Sequence, residues 1–164
     1  MSSVKVEITG DKDRFLKRLK QLSSLKTAEA NRAIAEALRT SAVERFDRQK
    51  GPDGKRWKTS IRAGEAGGRT LLKTAHLRNS IRSEADAKGL AVGTNTIYAA
   101  THQIGEPGRT IRPKRAKALR FKINGRWVSA KQVTVKIPAR PFLGISEEDE
   151  EEIQGIIDDM MKEE

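Results

Sequence analysis

The 164-residue chain has the length of one domain, carries a net charge of +11 and contains no cysteine, which excludes disulfides and thiolate metal sites. Hydrophobic residues at 36% and 13 glycines bring the apolar share to about 44%, and charged residues reach 34%, against roughly 45–50% and 25% in ordinary globular proteins, so a compact core with long exposed appendages is expected. The charge is also polar along the chain: residues 147–164 hold ten acidic side chains against Lys162, a net −9, leaving 32 basic and 12 acidic residues, a net +20, on the first 146. Such a body attracts polyanions, and the acidic end suits a basic partner, including another copy of the chain.

The predicted elements begin with Val4, Val6 and Ile8, which alternate with charged residues as in a half-buried strand ended by Gly10. Asp11 then caps a helix with Phe15, Leu16, Leu19 and Leu22 on one face. A second and longer helix, capped by Thr27, runs to about Gln49, with Ala30, Ile34, Ala37, Leu38, Ala42 and Phe46 at three- and four-residue spacing, and Pro52 and Gly54 stop it. Residues 51–70 read as a basic loop anchored by Trp57 and Ile61, mobile at 63–68. A short helix near residues 74–81 follows, then a strand at 90–93 and a helix over 96–104 closed by Gly105.

Residues 105–117 read as a second mobile basic loop. Strands over 119–123 and at Trp127-Val128 join through Asn124-Gly125, a strong hairpin signal. Val133, Val135 and Ile137 alternate as another strand, and Ser146-x-x-Asp149 is a capping box before a helix striped by Ile153, Ile156, Ile157 and Met160. The sum is an α+β domain over residues 1–164, a small largely antiparallel sheet flanked by helices, with one long N-terminal helix region, extended basic loops and an acidic C-terminal helix.

No stretch of residues points to catalysis, a metal or a cofactor. Around His102, the neighbours Thr101, Gln103 and Glu106 do not assemble an acid–base or ligand set. His102 and Gln103 are expected instead to satisfy backbone groups where the helix ends at Gly105. With few aromatics nearby, Tyr98 is expected to pack in the core. Trp57 either pins the basic loop to the body or, exposed, anchors an interface. Lys50, Lys55, Arg56, Lys58, Arg62 and Arg69, with Arg109, Arg112, Lys114, Arg115, Lys117 and Arg120, form either a phosphate-tracking surface or solvated loops that dock on acidic partners. No recognition helix, zinc finger or RNP motif accompanies them. The glycines at 64, 67 and 68 lack a following GK[ST] and make a flexible tip, not a phosphate cradle. The acidic run 147–152 complements the macrodipole of its own helix. The N-terminus is charged from Lys5 and no span approaches the ~20 apolar residues of a membrane helix, so a protein made in a cytosol, or built into a particle there, is expected.

Between Phe46 and Ile156 an ordered set of short motifs carries a family resemblance. They are Phe46, Pro52-Asp-Gly-Lys-Arg-Trp57, Leu72, Leu77-Arg-Asn-Ser-Ile81, Val92-Gly-Thr94, Tyr98-Ala-Ala, His102-Gln-Ile-Gly105 and Pro138-Ala-Arg-Pro-Phe-Leu-Gly144. In this order they resemble the phage virion morphogenesis family, the tail-completion or neck proteins of Mu-like contractile-tailed phages and prophages. Ala75-His76 departs from the Thr-Gly that often precedes the leucine there, which puts the turn geometry in question. The resemblance implies a non-enzymatic subunit, without cofactor or membrane, that forms a ring of copies at the head-proximal end of the tail. Its implied partners are other copies, tail and head-connector proteins, and genome DNA in the lumen. Arg140 is then expected as a bidentate donor, with Phe142 and Leu143 as apolar anchors fixing the last helix against the sheet.

Overall fold

The computed structural model describes residues 26–162 apart from residue 124. The expected strand at Val4–Ile8 and the helix begun at Asp11 lie outside the described residues. Helix α1 spans Thr27–Arg48 and buries Ala30, Ile34, Ala35, Ala42, Arg45 and Phe46, one stripe at helical spacing. Thr27 is its first residue, not its cap: Lys26 holds that place and its side chain makes no capping bond. At the other end Gln49 takes a left-handed conformation, φ 56°, and its side chain clamps residue 70. There Oε1 accepts from the Thr70 N–H at 2.7 Å and Nε2 donates to the Thr70 carbonyl at 3.0 Å.

The stretch expected as a plain basic loop contains helix α2, Ile61–Ala66, whose cap Ser60 accepts from the Ala63 N–H at 3.3 Å. Ile61 is not an anchor, being 80% exposed. Helix α3, His76–Asn79, is shorter than expected and is entered through Ala75 at φ 54°. The open question about that turn is answered by a left-handed alanine, a conformation a β-carbon disfavours. Strand β1, Arg82–Ala85, pairs antiparallel with β2, Leu90–Gly93, through a turn in which Asp86 Oδ1 accepts from the Lys88 and Gly89 N–H groups. This ribbon packs on α1.

Helix α4, Ala99–Ile104, ends at Gly105, where φ is 84° and an added β-carbon would lie 2.7 Å from the Ala139 nitrogen. Where a second loop was expected, β3, Glu106–Ile111, pairs antiparallel with β6, Val133–Ile137, across a register shift between Glu106 and Arg109. Strands β4, Leu119–Ile123, and β5, Arg126–Ala130, form the hairpin expected from Asn-Gly, with Gly125 at φ 76°. The α+β class holds, but among the described residues the antiparallel pairing is divided into three two-stranded ribbons. The ribbons β3–β6 and β4–β5 place no residue in the buried hydrophobic core.

Helix α5, Glu147–Lys162, packs along α1. The last helix is therefore fixed against the long helix and not against the sheet, because its buried Asp149 pairs there with Arg45. The core joins Ala42, Phe46, Trp57, Leu77, Ile81, Ala99 and Phe142, with Leu71, Leu72, Val92 and Leu143 around it.

Candidate functional site

The Pro138–Gly144 strap runs into the core, and other segments satisfy most of its backbone. Phe142, wholly buried, packs at 5.3 Å between centroids against Phe46, which meets Trp57 edge-on at 5.3 Å. Trp57 Nε1 donates to the Pro141 carbonyl at 2.9 Å, so the tryptophan pins its loop to the body and is not an exposed anchor. Gln103 satisfies backbone groups, as expected, but those of the strap and not those of its own helix end. Its Oε1 accepts from the Phe142 and Leu143 N–H groups at 3.0 Å each, and its Nε2 donates to the Leu143 carbonyl at 2.8 Å. Leu143 is half-buried against the core.

Arg45 holds the strap from the other side. Its Nη1 donates to the Phe142 and Gly144 carbonyls at 3.1 and 2.8 Å, and its Nη2 pairs with the Asp149 carboxylate. The same carboxylate accepts from the Ser146 N–H and hydroxyl at 2.7 and 2.8 Å, while the Asp149 N–H donates back to Ser146 Oγ at 3.3 Å. The capping box and a buried ion pair thus share one residue. Burial alone would raise the Asp149 carboxyl, but hydrogen bonds from Ser41 and Ser146 and the charge of Arg45 outweigh it and hold the group below its ordinary range. The capping box was legible; the Arg45 partnership was not, since an acidic run names no single partner.

Three expectations are corrected here. Tyr98 is 44% exposed, and its ring is flanked by His102 edge-on at 5.9 Å and by His76 at 6.5 Å, so it sits at a rim and not in the core. The His102 side chain satisfies no backbone group. Its Nδ1 is buried without a hydrogen-bond partner, although its carbonyl accepts from the Arg140 N–H at 2.7 Å. Arg140 is buried and donates through Nε to the Lys58 carbonyl at 2.8 Å, a single bond in place of a bidentate one to a carboxylate.

Among the basic candidates, Lys55, Arg56, Lys58, Arg109, Arg112, Lys114, Arg115 and Lys117 are exposed. Several are locally engaged. Lys55 pairs with Asp53 at 3.3 Å, Arg109 lies 3.8 Å from Glu106, and Arg112 donates to Gln132 at 3.2 Å. Arg62 is half-buried, donates to the Arg69 carbonyl at 2.7 Å, and lines a cavity with Tyr98, His102 and Arg140. A residue not anticipated as a site is Trp127. It is 64% exposed on β5, with the Arg120 and Lys122 cations 5.4 and 5.2 Å from its ring centre. Among the described residues no three histidine or carboxylate side chains cluster as a metal site requires.

The geometry is that of a cross-braced body bearing exposed charged ribbons, and the comparisons agree with the motif order read along the chain. The Mu-like prophage FluMu G protein 2 of Haemophilus influenzae is 33% identical over 144 residues, covering 88% of this chain and 84% of that protein. No solved structure matches. The model of the phage virion morphogenesis family matches residues 10–162, nearly the whole length, and the chain belongs to that family.

Proposed function

We propose that the protein is a structural subunit of a phage or prophage virion that completes the tail, standing at the neck as a ring of copies that helps join tail to head. The observation that supports this most is the family match over nearly the whole chain, which gives the protein a role in virion morphogenesis. The charge layout suits repeated contacts. The helix α5 exposes Glu147, Glu148, Glu150, Glu151 and Glu152, and the ribbons expose a majority of basic side chains. Unlike faces on one subunit generate head-to-tail contacts, and these give a ring when the rotation closes. The subunit acts by fit and not by catalysis, inside the assembled particle; no helix among the described residues is long and apolar enough to cross a membrane. Disrupting the gene is expected to leave heads and tails that fail to join, seen by electron microscopy of lysates. Normally joined virions from the disrupted phage would overturn the proposal.

A second reading, contact with DNA, is favoured by the exposed Arg112, Lys114, Arg115 and Lys117 between β3 and β4. Neutralising about six phosphates predicts a log–log salt slope near −5 for duplex binding. Absence of binding at low salt removes this reading.

A further inference from the structure

Two guanidinium groups are almost wholly buried in this fold, and their surroundings differ. Arg45, 5% exposed, closes on the Asp149 carboxylate. Arg140, equally buried, donates one hydrogen bond to the Lys58 carbonyl and meets no carboxylate among the described residues. A buried charge without a partner is costly, and folded chains ordinarily supply a counter-charge. Burial accordingly pulls the Arg140 pKa below its ordinary value, with no carboxylate among the described residues to oppose it.

Arg140 lines an open cavity of about 270 Å³ between α2, α3 and α4, together with Arg62, Lys73, His76, Tyr98 and His102. Among the described residues no Asp or Glu lines it. The imidazole of His102 adds a buried Nδ1 that has no hydrogen-bond partner. The cavity is therefore rich in donors and cations, holds one buried charge without a carboxylate partner, and lacks an anion among the described residues.

We propose that this cavity receives a carboxylate side chain, supplied by the acidic last helix of a second copy of the chain. Three features favour that occupant. The volume falls below the roughly 300–1,000 Å³ of small-molecule pockets, so it suits a side chain. Leu71 and Leu77 in its wall suit the methylene stem of a glutamate. Helix α5 exposes Glu147, Glu150, Glu151 and Glu152, which form no ion pair among the described residues. The inference rests on the reading above in which copies touch one another.

The test titrates an N-acetylated peptide of residues 146–162 into the full chain at low salt, in the concentration range where the chain is monomeric. The readout is the pair of imidazoles in long-range ¹H–¹⁵N spectra, the chain having only two histidines. A saturable shift of the His102 resonances is expected. It should weaken at least tenfold in Lys73→Glu and vanish in Arg140→Met. Should Arg140→Met fail to fold by thermal melting, Lys73→Glu, at an exposed position, decides alone. No saturable shift with the peptide overturns the inference, as does an equal shift with a peptide whose glutamates are replaced by glutamine. Binding of inorganic phosphate or a duplex oligonucleotide in place of the peptide also overturns it, by making the cavity a phosphate site. Because the assay uses separate chains in solution, its failure leaves the proposed place in the particle standing. Joined virions from the disrupted phage would leave the peptide result standing in turn.

Discussion

Replacing Asp149 with alanine strips a counter-charge from Arg45 while that guanidinium stays buried at 5% exposure. The same change removes the acceptor of the Ser146 N–H and hydroxyl at the start of α5, and loosens the guanidinium that holds the Phe142 and Gly144 carbonyls. Removing one partner of a buried pair costs about 3–5 kcal/mol. The lost half of the capping box, at most the ~1 kcal/mol of a cap, involves the same carboxylate and is not added on top. We therefore expect Asp149→Ala to lose roughly 3–5 kcal/mol, a large part of the ~5–15 kcal/mol that holds a domain folded. Urea unfolding followed by tryptophan fluorescence should show a lower midpoint at unchanged slope. A double variant, Arg45→Met with Asp149→Leu, removes both charges but also the donor to two strap carbonyls, so it should recover at most part of the loss. It stays below the parent because the Phe142 and Gly144 carbonyls lose their donor, at roughly 1–3 kcal/mol for each buried acceptor left unpaired. The carboxyl of Asp149 is depressed in the fold, so its contribution is full above the unfolded value of about 3.9 and is lost as pH falls through the folded one. A loss under about 1 kcal/mol in Asp149→Ala, the worth of an exposed pair, would refute this reasoning.

Gln103→Leu should destabilise by about 1–3 kcal/mol for each strap group it leaves unpaired, read as a drop in urea midpoint, and an unchanged midpoint would mean water replaces the amide freely. Ala75→Gly relieves a left-handed alanine at φ 54°; set against the entropy of glycine, a gain of about 0.5–1 kcal/mol is expected, and a loss would show that the turn is not strained. His102 is held below its ordinary pKa by burial and then by the Arg140 charge, so its neutral form is favoured in the fold. Its contribution is full above the unfolded value of about 6.5 and declines as pH falls below it. The stability difference between pH 7.5 and 5.5 should shrink in His102→Gln, and equal differences in parent and variant would count against a buried neutral imidazole.

Local rules made much of this protein legible. The α1 stripe, the hairpin at Gly125 and the Ser146/Asp149 capping box each depend on residues within one or two turns of the chain; the hairpin and box are reproduced, and the stripe keeps Ala30, Ile34, Ala42 and Phe46 while Ala37 and Leu38 are half-buried. The elements that escaped lack a local signature. The strand β1 reads Arg-Ser-Glu-Ala with no apolar alternation, and Pro107-Gly108 disguised β3 as a loop although β6 supplies its partner. The motif residues Trp57, Gln103 and Phe142 stood out by their chemistry, but only the fold brings them together on one strap.

By itself, the sequence determined the class of the fold, the family, and the polarity of charge between body and tail, since composition and short-range periodicity are properties of neighbours along the chain. Tertiary structure alone decided which charges are matched. Arg45 finds Asp149 across 104 positions, whereas Arg140 is buried to the same degree with no carboxylate beside it among the described residues. The physical reason is that desolvation and ion pairing act through space, between segments whose separation in sequence carries no record of their contact.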